Sequence, residues 1–283
     1  MSQSDRPRGG VPSESADYSE SSLGRVNGME PGSYAVVGAS MLQQRRLEIV
    51  ANNLAQVNTP GYKADVPVFR IEKTSKTAGQ GSALGDDVVQ QSAWKFTHIN
   101  YKQGSFRKTN NPLDLALNGD GFFVLRSPGG LRYSRAGQFG LNRDGVMIAK
   151  QGWPLLGVDN GEIRVPNASS QNSGIFINQT GQVYSNGEVV GQVQIIDFPK
   201  PYALEKRGFS SFSTVVPGQA TFKPESTDIL QGYIEGSNVN AIAEMVKLIE
   251  IGRLYETYQK TIKTFDSIDD RAVNDLGRVE EIQ

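Results

Sequence analysis

A long helical pattern near the C-terminus constrains the fold of this chain more than any other sequence feature. From about Val239 to Asp275 there is no proline, and Gly252 is the only helix-weakening residue. At a rise of 1.5 Å per residue such a helix spans about 55 Å, which exceeds the width of a small domain. Apolar residues recur there at steps of three or four, at Leu248, Ile251, Tyr255, Tyr258, Ile262, Phe265, Ile268, Ala272 and Leu276. This spacing predicts a coiled-coil partner, and Ser237 and Asn238 are the predicted N-cap residues.

A second helical pattern runs from Tyr34 to Val57 near the other end of the chain. Its apolar seam consists of Leu47, Val50, Leu54 and Val57. The polar residues predicted for the opposite side are Gln43, Gln44, Arg45, Glu48, Asn52 and Gln56. The Thr59-Pro60-Gly61 string ends the helix, because proline lacks a backbone donor and disfavours helical geometry in the residue before it.

Between the two helices the sequence is typical of β structure. Short apolar runs alternate with turn signals about every ten residues. Gly119-Asp120-Gly121, for example, precedes the run 122–125, and Asn142-Arg143-Asp144-Gly145 forms another turn. This pattern predicts an all-β unit.

The resulting prediction is an α+β protein in which a discontinuous helical stem carries a central all-β domain. The two terminal seams pair and bring the chain ends together. The predicted segments are a disordered leader (1–30), an N-terminal stem helix (31–61), an extended connector or loop (62–95), the central β domain (96–222) and a C-terminal stem helix (223–283).

Composition excludes several classes of function. The chain has 283 residues, no Cys, one His and a formal net charge of −1. Without Cys there is no thiolate metal site and no thiol catalysis. A near-neutral chain also lacks the clustered positive charge that nucleic-acid binding needs. His98 lies on a predicted strand, where a surface or subunit-contact role is expected. We therefore expect no catalytic, metal or cofactor site.

The remaining carboxylates and the N-terminus support the same interpretation. Asp114, Asp120 and Asp144 lie in turn-rich sequence, which favours turn stabilisation over acid–base chemistry. No apolar stretch approaches the roughly 20 residues of a membrane span, so we expect a protein that is not integral to the membrane. Residues 1–30 lack the apolar core of a signal peptide, and Met29 is an alternative start.

The string Ala-Asn-Asn-Leu-Ala-Gln-Val-Asn-Thr-Pro-Gly-Tyr at 51–62 resembles the N-terminal signature of the flagellar axial proteins, the rod and hook family of bacterial basal bodies. Gln56 departs from the usual Asn. The motif residues are Asn52, Asn53, Asn58, Thr59, Pro60, Gly61 and Tyr62.

Three further blocks resemble the same family and follow its order along the chain. The segments 111–123 and 133–157 are similar to the start of its central β domain and to its next hairpins. The third block, from 235 to 256, resembles the family's C-terminal helix signature and includes Ser237, Asn238 and Asn240.

The resemblance implies a structural subunit of the basal-body rod, which crosses the periplasm and transmits torque from motor to hook. It implies polymerisation through the terminal helices, with self and other rod proteins as partners. It also implies export by the flagellar type III apparatus without signal cleavage. Chain length and the strings 155–166 and 251–255 favour a proximal-rod member. The alternatives are a distal-rod member and, in another class, a secreted β-domain binding module or adhesin.

Overall fold

The structure is a computed structural model that describes residues 31–73, 90–166, 174–208, 210–216, 218–224 and 226–279. The predicted leader, 1–30, lies outside these ranges, as does part of the predicted connector, 74–89. Within the described ranges two helices flank a β-rich region, so the predicted α+β class is confirmed. The coiled-coil character of the stem remains a prediction.

Helices α1 (Pro31–Ala55) and α2 (Ala241–Val279) pack against each other in opposite directions. Near one end the Asn53 amide nitrogen donates to a Glu244 carboxylate oxygen over 3.4 Å. Toward the other end Gln259 donates to the Ser40 hydroxyl over 3.0 Å. Neither helix is long and apolar enough to cross a membrane, among the residues that the structure describes.

Helix α2 begins later than its predicted cap. Asn240 is the cap, because its side-chain oxygen accepts a hydrogen bond from the Ala243 amide over 3.1 Å. The prediction of Ser237 and Asn238 as cap residues is therefore wrong. The reason is tertiary: the Gly236 amide donates to the Ser105 carbonyl over 2.8 Å and keeps the chain extended up to the cap.

Two strands occupy part of the segment predicted as a connector. Strands β1 (Asp65–Lys73) and β2 (Gln90–Ile99) pair in antiparallel register from Asp65↔Ile99 to Lys73↔Gln90. Pro67 is tolerated in β1 because a strand of a two-stranded sheet has a free edge. An extended chain gains backbone hydrogen bonds by this pairing, which a sequence reading of isolated segments does not reveal.

The other strands are short and antiparallel. Their bounds are β3 (Phe106–Lys108), β4 (Leu115–Asn118), β5 (Phe122–Ser127), β6 (Gly130–Ser134), β7 (Phe139–Leu141), β8 (Met147–Ala149), β9 (Ile175–Ile177), β10 (Gln182–Ser185), β11 (Glu188–Gln192), β12 (Ile195–Ile196), β13 (Leu204–Lys206), β14 (Ser211–Thr214), β15 (Asp228–Gln231) and β16 (Tyr233–Glu235). The largest sheet has the order β12-β5-β6-β14-β13, and a second has the order β11-β10-β9.

The core lies in this β region and consists of two clusters. The larger cluster includes Leu115, Leu117, Phe123, Met147 and Leu155. The smaller is rich in aromatic residues and contains Phe122, Tyr133, Phe198 and Phe212. Strand β5 contributes to both clusters because alternate side chains of a strand point to opposite faces.

Strands β15 and β16 lie in the segment 223–283 that was predicted as part of the C-terminal helix. They pair with β4 and β3, respectively. The prediction of a helix that begins near residue 223 is therefore wrong, because the chain first passes from the β region to α2 through these two strand pairs. The base of α2 is thereby fixed to the same unit that contains the core.

Candidate assembly interface

The family-like motif at the end of α1 closes a compact turn within the chain. The Asn53 side chain forms two hydrogen bonds with the backbone of Asp65: its oxygen accepts from the amide over 2.9 Å and its nitrogen donates to the carbonyl over 2.8 Å. The Tyr62 hydroxyl also donates to the Asn53 side-chain oxygen over 3.2 Å. Asn53 therefore fixes the direction in which the chain leaves α1.

Gly61 is required where this turn meets the rest of the molecule. Its φ of 65° lies in the left-handed region, and its amide donates to the Glu235 carbonyl over 2.8 Å. A Cβ at this position would lie 2.3 Å from the Ala136 amide nitrogen. The glycine thus permits close approach of three segments that are distant in sequence.

Asn238 links the C-terminal motif to two other segments. Its side-chain oxygen accepts from the Ala64 amide over 2.8 Å. Its side-chain nitrogen donates to the carbonyls of Asn100, over 2.7 Å, and Lys102, over 2.9 Å. Asn238 is therefore a bridging residue at the junction of the helices with the β region.

Three buried charged residues, Lys63, Arg135 and Glu235, lie at the centre of this junction and are called the buried ion group below. The Lys63 ammonium is 2.6 Å from one Glu235 carboxylate oxygen, and an Arg135 guanidinium nitrogen is 3.3 Å from the other. The Gly104 amide also donates to Glu235, over 3.0 Å. Burial lowers the pKa of Lys63 from its usual value, while the charge of Glu235 opposes that shift.

A second ion pair supports the turn from its more exposed side. The Lys206 ammonium is 2.8 Å from an Asp65 carboxylate oxygen and 4.1 Å from the centre of the Tyr62 ring. Burial raises the pKa of the Tyr62 hydroxyl, and the neighbouring Asp65 carboxylate adds to the shift. Tyr62 therefore remains a neutral hydrogen-bond donor at physiological pH.

The predicted N-terminal seam lies only partly against α2. Val50 is buried, Leu47 and Leu54 are half-buried, and Val57 lies in the turn after the helix. The structure also buries Gln43, which the helical spacing predicted for the opposite side. The packed face of α1 therefore contains more polar side chains than the apolar spacing alone indicates.

The predicted C-terminal seam follows α1 along most of its length. Ile251 is buried, and its half-buried neighbours in the seam are Leu248, Tyr255, Tyr258, Ile262 and Phe265. Ile268, in contrast, is exposed. Much of the predicted assembly seam is therefore covered by the chain's own α1.

The other motif residues are exposed, half-buried or hydrogen-bonded to residues close to them in the sequence. Asn52, Asn58 and Asn240 are exposed, whereas Pro60 is half-buried. The Thr59 hydroxyl donates to the Gln56 side chain over 2.6 Å. The Ser237 hydroxyl accepts from the Val239 amide over 3.3 Å.

The buried ion group cannot be recognised in the sequence as a group. Its two ion pairs join residues that are 172 and 100 positions apart. Each residue is inconspicuous in its own segment, because Lys, Arg and Glu usually lie at the surface. The only sequence signal is that all three lie in or next to family-like blocks.

The remaining ionisable candidates have different surroundings. His98 is exposed. Asp114 accepts from the Asn111 side chain over 3.1 Å, and Asp120 forms an exposed ion pair with Lys200. The turn at 142–145 is stabilised by the side chain of Asn142 and not by Asp144, which corrects the expected role of that carboxylate. In the described ranges no cluster of three potential metal ligands occurs.

Three family models match different parts of the chain. The model described as "Flagella basal body rod protein" matches residues 34–63. "Flagellar hook protein FlgE/F/G D1 domain" matches 116–185, and "Flagellar basal body rod FlgEFG protein C-terminal" matches 230–276. Each member of the buried ion group lies in a different matched segment, so the junction joins all three.

Several curated relatives align over most of the chain. The flagellar basal-body rod protein FlgF of Caulobacter vibrioides is 31% identical over 256 residues, which cover 89% of this chain and 100% of the relative. FlgF of Mesorhizobium japonicum is 27% identical, covering 88% and 99%. FlgG of Agrobacterium fabrum is 33% identical, covering 80% and 92%.

Proposed function

Because this chain belongs to the family of flagellar basal-body rod proteins, as a structural and FlgF-like subunit of the rod, we propose that it polymerises through its paired terminal helices. In this proposal the helices form the inner, packed part of the rod, and the β region makes lateral contacts outside it. Many shared interfaces then transmit torque from the motor toward the hook. The proposed functional divisions of the subunit are 31–61, 62–95, 96–222 and 223–283, of which the last contains β15 and β16 before α2.

The observation that best supports torque transmission is the junction between helices and β region. A shaft subunit needs its assembly helices and its body to move as one unit. Lys63, Glu235 and Arg135 join three segments in a buried network that also uses the Lys102 and Gly119 carbonyls. Buried charges of this kind are costly to separate, since separation leaves an unpaired charge in a medium of low polarity.

We also propose that the helices order fully only on assembly, after export by the type III apparatus without signal cleavage. Each helix has one side against its partner and another side that is exposed in the single chain. Ordering a helix costs about 1–2 kcal/mol per residue, and burial must offset that cost. Neighbouring subunits would supply the missing burial. In this proposal the subunit neither forms nor breaks covalent bonds.

The test is electron cryotomography of basal bodies in a strain that lacks this chain, with complementation by the full chain as control. A proximal-rod subunit predicts a rod truncated near its base, without a hook. Complete, rotating flagella in the deletion strain would contradict the proposed function.

The same images distinguish the proximal position from the distal one. The distal rod is the main alternative position for this subunit, because FlgG relatives are 32% and 33% identical to the chain. A longer rod stub that ends before the hook would assign the chain to the distal rod.

A further inference from the structure

A cavity of about 720 Å³ lies where the β1–β2 pair meets the rest of the β region. Val66, His98 and Ile99 line it from the β1–β2 pair, and residues 200–202 line it from the β region. Small-molecule sites in proteins usually have volumes of about 300–1,000 Å³. The cavity is therefore large enough for a small organic ligand.

The charged side chains around the cavity are mostly positive. Among its described lining residues, Lys102, Arg135 and Lys200 are positive and Asp120 is the one carboxylate. Asp120 is already paired with the Lys200 ammonium at 2.6 Å. This distribution of charge favours an anionic ligand over a cationic one.

Arg135 connects the cavity to the buried ion group. Its side chain is 5% exposed, and its terminal nitrogens donate to Glu235 and to the Gly119 carbonyl. Its Nε–H, however, has no acceptor in the part of the chain that the structure describes. A buried donor without an acceptor is costly, and a guanidinium is well suited to binding a carboxylate.

Tyr101 is a second buried donor at the same cavity. Its hydroxyl also lacks a partner among the described residues. The Tyr101 ring and the Arg135 guanidinium both pack against Phe122, with 6.2 Å between the two ring centres and 5.4 Å from the guanidinium carbon to the Phe122 ring centre. Nearly all buried polar groups in proteins have a partner, so two such donors at one cavity indicate a ligand with acceptor atoms.

The remaining wall of the cavity is apolar and aromatic. The rings of Tyr101 and Tyr202 are 4.6 Å apart, and Val66, Ile99 and Pro201 also line the cavity. The Lys200 ammonium lies 5.8 Å from the centre of the Tyr202 ring, so positive charge borders the aromatic wall. The Tyr202 hydroxyl is hydrogen-bonded to the buried Asp197 carboxylate, which does not line the cavity. A ligand that fits this wall has an apolar body next to its anionic group.

We propose that this cavity binds a carboxylate carried on an apolar or aromatic body. Arg135 and Lys200 attract the carboxylate, the Tyr101 hydroxyl donates a hydrogen bond to the ligand, and the aromatic wall covers its body. A bound ligand contacts both the β1–β2 pair and the β region and thereby stiffens the junction. The inference goes beyond the proposed function and does not depend on it.

Calorimetric titration of the full chain with N-acetylphenylalanine tests the site. This probe has a carboxylate next to an aromatic ring, and its amide derivative is the matched neutral control. We expect the acid to bind and the amide to bind at least about tenfold more weakly, because charge-assisted hydrogen bonds are lost. Equal binding of the two probes, or no binding of the acid, would overturn the proposal. So would equally strong binding of inorganic phosphate, which has no apolar body.

Tyr101→Phe separates a binding role from a structural one. The substitution removes only the hydroxyl, so we expect the affinity for N-acetylphenylalanine to fall about fivefold. Loss of an unpartnered buried hydroxyl should at the same time stabilise the free chain. The control is Tyr184→Phe in β10, which does not line the cavity and should leave the affinity unchanged. Unchanged affinity for Tyr101→Phe would contradict the proposed site.

Lys200→Gln tests the positive charge without disturbing the buried ion group. Lys200 is exposed, so the variant should fold, and we expect its affinity for the acid to fall about fivefold. Lys150→Gln, at an exposed position outside the cavity, should have no effect. Equal effects of the two substitutions would overturn the proposal, because they would show that only the net charge of the chain matters.

A longer probe distinguishes two sources of the same chemistry. A free aromatic acid and the C-terminal residue of a protein chain both carry a carboxylate on an apolar body. Tighter binding of N-acetyldiglycylphenylalanine than of N-acetylphenylalanine would assign a chain end, and equal binding would assign a free acid. Failure of these titrations would leave the proposed function intact, since tomography of the deletion strain tests rod assembly separately.

Discussion

At the scale of single residues, the buried ion group decides how the helices attach to the β region. Glu235→Gln removes the negative charge that faces Lys63 and Arg135 while keeping the side-chain shape. Because two buried positive charges then lack their partner, we expect the free energy of unfolding to fall by about 3–5 kcal/mol. Urea unfolding followed by circular dichroism measures this change.

The matched control for this substitution is Glu205→Gln. Glu205 forms an exposed ion pair with Arg207 at 2.7 Å. Exposed ion pairs contribute little to stability, so we expect the free energy of unfolding to change by less than about 0.5 kcal/mol. Equal effects of the two substitutions would contradict a special role for the buried ion group.

Removal of the Tyr101 hydroxyl should stabilise the protein. Its ring packs against Tyr202 at 4.6 Å between centres, yet its buried hydroxyl finds no hydrogen-bond partner among the described residues. An unsatisfied buried polar group is costly. We therefore expect Tyr101→Phe to raise the free energy of unfolding by about 1 kcal/mol, whereas Tyr184→Phe, which loses a hydrogen bond to Gln182, should lower it slightly.

Tyr101 also makes the free energy of unfolding depend on pH in a known direction. Burial raises the pKa of Tyr101 above its usual value near 10. Above about pH 10 the unfolded chain loses this proton while the folded chain keeps it, so the free energy of unfolding falls as pH rises. Between about pH 9 and pH 11 the free energy of unfolding, measured from unfolding curves, should fall less for Tyr101→Phe than for the natural chain. An equal fall would contradict a role for the Tyr101 hydroxyl in this pH dependence.

At the scale of elements, the start of α2 is set by a single side chain. Asn240→Ala removes the hydrogen bond to the Ala243 amide and should cost about 1 kcal/mol. Amide hydrogen exchange should accelerate in the first turn of α2. Ser237→Ala is the control, since the Ser237 hydroxyl accepts a hydrogen bond within its own turn, from the Val239 amide over 3.3 Å. A larger loss of stability for Ser237→Ala than for Asn240→Ala would support the cap that the sequence predicted.

At the scale of the whole molecule, stability is concentrated in the β region. Leu115, Leu117 and Phe123 are completely buried in its core, whereas many α2 side chains are exposed. We expect amides of β4 and β5 in the free chain to exchange hydrogen far more slowly than those of α2. Slow exchange along all of α2 would contradict the proposal that the helices order on assembly.

The sequence by itself determined the two helices, the β region between them and the membership in the rod family. These features depend on periodicity, turn residues and short motifs, which are properties of neighbouring residues. The helix stop near Pro60 and the seam residues Val50 and Ile251 could therefore be read directly from the chain.

Only the tertiary structure decided which distant segments meet. It moved the α2 cap to Asn240, paired β1 with β2, and brought Lys63, Arg135 and Glu235 together. It also showed that most residues of the predicted C-terminal seam are buried or half-buried in the single chain, where α2 packs against α1. Apolar spacing identifies a face that needs burial, but the partner that covers it depends on chain topology, which local sequence does not specify.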